Sequence, residues 1–214
     1  MKYTKLLKLF LITTVAILFI DCGKNYSPEE EEYISEIKKF RLEKDEYMKN
    51  DPGSPFNFKG KVHFEYLKYY EPDPDFVFKS KLYEFEVKDT LIIFGTKGEE
   101  RKVVRFGFVK LKYEDQEFKV NVYEGSTNGG GKYYSIWFTD KTTGEETYGV
   151  GRYIDFEPIF LTGSKNPDKD FTYNIDFNLA YNPYCAYSPD YSCAIPTKED
   201  YIDLAIEAGE KNFH

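Results

Sequence analysis

The stretch VVRFGFVKLKYEDQEFKVNVY, residues 103–123, decides the fold. Val109, Leu111 and Tyr113 alternate with Lys110 and Lys112, and Phe118, Val120 and Val122 alternate with Lys119 and Asn121. A period of two belongs to a strand with one buried face. The polar turn Glu114-Asp115-Gln116 joins the two runs. Similar runs recur at 62–69, 76–87, 90–95, 133–139, 147–156 and 171–177. Between them lie the turns 71–75 and 97–100 and the glycines of Asn128-Gly129-Gly130-Gly131, which supply positive φ. With no helical interludes, this spacing predicts an all-β fold, a mostly antiparallel sandwich or barrel-like domain. Residues 198–208 read two ways, as a helix capped by Thr197 or as a last strand through Ile202, Leu204 and Ile206.

One N-terminal amphipathic helix precedes the strands. Ser27-Pro28-Glu29-Glu30 has the form of a capping box with Pro in the first turn. Tyr33, Ile34, Ile37, Phe40, Tyr47 and Met48 make its apolar stripe, and Asn50-Asp51-Pro52-Gly53 stops it.

Before the helix comes an address. Lys2, Lys5 and Lys8 lead into an apolar run at 9–20 that ends at Asp21-Cys22. The run is shorter than the roughly 20 residues of a membrane span and fits a secretory signal. The expected organisation is a lipoprotein signal peptide at 1–21, a tether at 22–27 beginning with acylated Cys22, and a single β-rich domain at 28–214. Asp21 stands where lipoprotein signals carry a small residue. The expected location is the cell envelope, lipid-anchored and outside the cytoplasm. Without residues 1–21 the chain keeps 26 basic and 36 acidic side chains, a net charge of −10. That charge argues against nucleic acid as a partner.

Motifs for familiar chemistry are missing. There is no Gly-x-Ser-x-Gly elbow, and His63 and His214 are the only histidines, so no catalytic set, metal or cofactor is expected. Gly149-Val150-Gly151 leads into another strand pattern rather than a helix, which suits a bulge or a close backbone approach better than a nucleotide site. Arg152, between aromatics, needs solvent or a carboxylate; Asp140, Glu145, Glu146 and Asp176 are candidates. Asp176 and Asn178 would share one face of a strand, with Arg152, Tyr181 and Asn182 as prospective partners. Cys185 and Cys193 are most simply a disulfide outside the cytoplasm, with free thiols or metal ligation as alternatives.

Several of these pieces occur together: 138–148, Gly151-Arg152-Tyr153, Asp176-Phe177-Asn178, Ala180-Tyr181-Asn182-Pro183, Cys185, Cys193, Pro196 and Ala208-Gly209-Glu210-Lys211. In this set the chain resembles an uncharacterised bacterial family, domain of unknown function 1684, many of whose members are lipoproteins. Cys193-Ala194-Ile195-Pro196 and Glu199-Asp200 depart from its pattern, which has Cys-Pro and then Pro-Pro before an Asn. The resemblance favours a last strand over a helix at 198–208, because the family often has proline there, and implies no activity. The expectation is a membrane-anchored lipoprotein whose β domain binds a small molecule or an envelope protein. Its candidate ligand residues are Asp140, Glu146, Arg152, Asp176, Asn178, Tyr181, Asn182 and Glu210. The alternative is an envelope hydrolase with a polar Asp/Arg/Asn/Tyr site.

Overall fold

The computed structural model describes residues 24–59, 62–127, 129–159 and 170–214. The leader, Cys22 and most of the polar loop 164–170 lie outside the described residues. The fold is mostly β. Helix α1 (Pro28–Asn50) precedes β1 (Val77–Lys81), β2 (Tyr83–Phe94), β3 (Glu100–Tyr113), β4 (Gln116–Ser126), β5 (Lys132–Asp140), β6 (Arg152–Asp155), β7 (Thr172–Asp176) and β8 (Tyr201–Ile202). Strands β2 to β6 form one curled, half-barrel antiparallel sheet in sequence order, and β8 adds to β5 in parallel. The antiparallel pair β1–β7 closes over it, and Ser80 of β1 accepts a hydrogen bond from the Lys110 amide of β3 at 2.9 Å. No helix among the described residues is long and apolar enough to cross a membrane.

The decisive hairpin forms as its pattern demands, with Tyr113 opposite Gln116 and Glu114 turning at φ 50°. Its alternation hides a change of face. Phe106 is an extra residue between Arg105 and Gly107, which pair with the consecutive residues Tyr123 and Val122. Such a bulge turns the residues on either side of it to opposite faces. Val109 and Leu111 therefore join the main core with Val120, Val122, Ile136 and Phe138. Val103, upstream, faces the other way, toward Ile93, Tyr123 and Trp137. The central strand β5 is consequently buried on both faces. Each fully buried aromatic or aliphatic side chain contributes roughly 1.5–3 kcal/mol.

Four of the strand boundaries need correction. Residues 62–69 do not form a strand; they run extended, with a single bridge between Tyr69 and Glu210, while Phe64 packs on Phe56. The runs at 76–87 and 90–95 divide elsewhere, because β1 ends at Lys81 and β2 continues from Tyr83 to Phe94 through an irregular register between Glu84 and Asp89. The expected strand at 147–156 forms only from Arg152, since the segment before it is turns. The last expected strand shrinks to Tyr201–Ile202 behind a short 3-10 turn that Thr197 and Asp200 cap reciprocally.

The helix keeps its capping box: the Glu30 amide donates to Ser27 Oγ and the Ser27 amide to Glu30 Oε2. Such a cap contributes about 1 kcal/mol. Its buried face is rotated from the expected stripe, to Ile37, Arg41, Asp45 and Met48, leaving Phe40 and Tyr47 more than 40% exposed. The buried charges have partners. Arg41 donates to the Tyr70 carbonyl and lies 4.5 Å over the Tyr69 ring, and Asp45 accepts the Leu67 amide.

Candidate functional site

The eight candidate residues fall into separate places. Arg152 and Asp140 form a sealed clamp. The guanidinium is 1% exposed, donates to Asp140 Oδ2 at 2.9 Å, and also reaches the carbonyls of Ile206, Ala208 and Glu210. Phe138 lies under it, 5.1 Å away. Burial pulls its pKa down, while Asp140 is the strongest influence holding the proton on. Asp140 spends its remaining capacity on Thr142, Thr143 and the Ile206 amide. The clamp ties the 206–210 tail to β5 and β6. Gly151 makes this possible, because at φ +104° a Cβ there would lie 2.6 Å from the Phe138 carbonyl oxygen.

Asp176 and Asn178 do not meet Arg152. Strand β7 ends at Asp176, whose side chain caps a 3-10 turn over Phe177–Leu179. Asp176 accepts from Tyr33 of the helix, and Asn178 bonds Tyr33 and both the carbonyl and the amide of Asp73. Every polar atom of the Asn178 side chain is occupied in pinning the 73–75 loop and the helix to the end of β7. Asp140 and Asp176 share no hydrogen-bond partner.

Asn182 and Glu210 make a third network. Glu210, fully buried, takes an ion pair from Lys44 at 2.6 Å, the Tyr187 hydroxyl and the Asn182 amide. Asn182 donates to the Lys211 carbonyl. Glu146 sits on the surface and accepts from Tyr70.

Of the eight, only Tyr181 lines the open cavity beside the helix. The cavity holds about 610 Å³ between the helix, the end of β6 and the loop after β7. Phe40, Lys44 and Tyr47 line it from the helix, Tyr153 and Asp155 from β6, and Tyr181, Tyr184 and Tyr191 from the loop. Volume and apolar lining are those of a small-molecule site. Alternation along β6 sets this up, since Arg152 points into the clamp and Tyr153 into the cavity wall.

The polar groups there are few. Tyr181 donates to Asp155 at 2.6 Å, and Lys44 lies 4.8 Å over the Tyr181 ring. Burial pushes the hydroxyls of Tyr153, Tyr181 and Tyr184 well above the ordinary tyrosine range, so they remain neutral donors. Tyr184 and Tyr191 meet edge to face at 5.3 Å. Arg101 closes one side, held by Glu99 and the Ser192 carbonyl. Sequence reasoning assigned Phe40 and Tyr47 to the docking stripe and passed over Lys44, Tyr153, Tyr184 and Tyr191.

The expected Cys185–Cys193 bridge is not formed. Both are thiols, and the Cys185 amide donates to Cys193 Sγ at 3.2 Å. Among the described residues no three His, Cys, Asp or Glu side chains converge as a metal site would need.

Residues 62–211 match the model of a family described as protein of unknown function (DUF1684). A solution NMR structure of an uncharacterised protein of Haloarcula marismortui is similar at 25% identity and a TM-score of 0.61, over 86% of this chain and 96% of that one. No curated protein matches.

Proposed function

The chain belongs to the DUF1684 family of unknown function, and from that premise we propose that it is an envelope lipoprotein whose β domain binds a small molecule in the aromatic cavity. The observation that carries this reading is the cavity itself: three elements each bring aromatic rings to it, and Phe40 and Tyr47 remain exposed there rather than docked. Stable monomeric surfaces seldom leave such rings grouped without use. The ligand is a molecule with an apolar or planar body, small enough for about 610 Å³. The anchor is an acylated Cys22, which leaves the cavity outside the cytoplasm.

The probe is 8-anilinonaphthalene-1-sulfonate titrated into the purified protein. Saturable binding at one equivalent is expected. Phe40→Ser combined with Tyr47→Ser should weaken it at least tenfold while moving the urea midpoint little, since both side chains are largely exposed. Binding that never saturates, or that ignores this double variant, overturns the reading. Labelled palmitate incorporated by the wild type and lost in Cys22→Ser checks the anchor.

A further inference from the structure

Cys185 and Cys193 are unlike each other although they touch. Cys185 is half-buried in the middle of a short 3-10 turn, Tyr184–Ala186, and Cys193 is 8% exposed on the cavity wall. Tyr148 donates toward Cys185 Sγ at 3.8 Å, and the Cys193 amide is tied to Thr96 Oγ1 at 3.2 Å. Hydrogen bonding from the Cys193 thiol is the largest influence on Cys185; burial opposes it, Tyr148 and Thr96 assist it, and the balance brings Cys185 down to about 6. Cys193 keeps its proton and is pushed far up, first by its bond to Cys185 and then by burial. The other titratable or charged groups facing the pair are Tyr148, Tyr153 and Arg101. A half-buried sulfur beside a more deeply buried one, with the Cys185 amide 3.2 Å from Cys193 Sγ, is the arrangement of an attacking and a resolving cysteine.

We propose that Cys185 and Cys193 are a redox-active dithiol, oxidised by hydroperoxides to an intramolecular disulfide and restored by small thiols. The Cys185 thiolate attacks the terminal oxygen of ROOH and the O–O bond breaks. Cys185 becomes a sulfenic acid, and the alkoxide takes a proton to leave as ROH. Cys193 then attacks the Cys185 sulfur; the S–S bond forms, the S–O bond breaks, and hydroxide leaves with the Cys193 proton as water. The pair loses two electrons, which reduce one hydroperoxide. Two thiol equivalents return them and leave as a disulfide. This chemistry stands whether or not the aromatic cavity binds a ligand.

The test uses the full-length chain with Cys22→Ser, so that the third thiol does not react. At pH 7 iodoacetamide should alkylate Cys185 about two- to threefold faster than free cysteine, because its larger thiolate fraction is partly offset by the weaker nucleophilicity of a more acidic thiol, and far faster than Cys193, with a rate that climbs through a midpoint of about 6. One equivalent of hydrogen peroxide should remove both thiols, yield a monomer lighter by two hydrogens, and be reversed by dithiothreitol without denaturant. Adding Cys193→Ser should halt the reaction at a dimedone-reactive Cys185 sulfenic acid. Cys185 alkylation no faster than free cysteine overturns the proposal. So do thiols that survive peroxide, oxidation that stops at sulfinic acid in the two-thiol protein, and an isolated bridge that opens only in denaturant.

Discussion

Arg152 and Tyr153 are adjacent in β6 and show the two uses to which this molecule puts the same materials. Arg152 enters a region in which every partner is internal and nothing reaches solvent. Tyr153 enters one in which aromatic rings surround open space. Both regions are rich in aromatics and hold a cation and a carboxylate. The difference lies in satisfaction. The clamp's charges are taken up by backbone and side-chain partners, with only Arg152 Nε left over, so it fixes geometry; the cavity leaves ring faces uncovered, so it can take a guest. A charged residue among aromatics in a sequence is therefore a sign of architecture as readily as of a site.

Breaking the clamp should have the largest effect. Arg152→Met leaves Asp140 buried without its cation and should lower stability by about 3–5 kcal/mol, read from urea unfolding. The fraction that remains folded should still bind the fluorescent probe, which separates the two regions. Gly151→Ala comes next, because a Cβ there would strike the Phe138 carbonyl and the positive φ is strained for alanine. A loss of about 2–3 kcal/mol is expected, again by urea titration. The smallest effect belongs to the cavity wall. Tyr181→Phe gives up the bond to Asp155 and should cost about 1 kcal/mol or less.

The tyrosine has a pH signature of its own. Burial first, and then Asp155, raise the pKa of Tyr181, so the folded protein keeps a proton that the unfolded chain releases near pH 10. Its contribution is present below pH 10 and is lost as pH rises beyond that. Tyr181→Phe should flatten the stability profile there, and an unchanged slope would show that Tyr181 is not held neutral by the fold.

Much of the fold was legible because its signals are local. The hairpin around Glu114, the capping box at Ser27 and the close approach at Gly151 each depend on a few consecutive residues. Asp140 stood among the four carboxylates considered for Arg152, but nothing local chose it; a tertiary contact did. The strand expected at 62–69 failed for the converse reason. Its alternation is real, but its neighbours are Phe56 and the tail at 209–211, which offer packing and one bridge instead of a ladder. Asp176 and Asn178 were expected on one strand face, yet the aspartate capped a turn and ended the strand. The cavity is assembled from residues more than a hundred positions apart, which no spacing within one segment reveals.

The clamp also sets an order in time. The carbonyls gripped by Arg152 belong to residues 206–210, and the same tail holds Lys44 through Glu210 and the 68–70 segment through Tyr69, Tyr70 and Lys68. Synthesis adds these residues after the helix and every described strand. Until they arrive, Arg152 has a carboxylate and little else, and the helix lacks its ion pair to the tail. The described core therefore cannot be completed before residues 206–210 have been made.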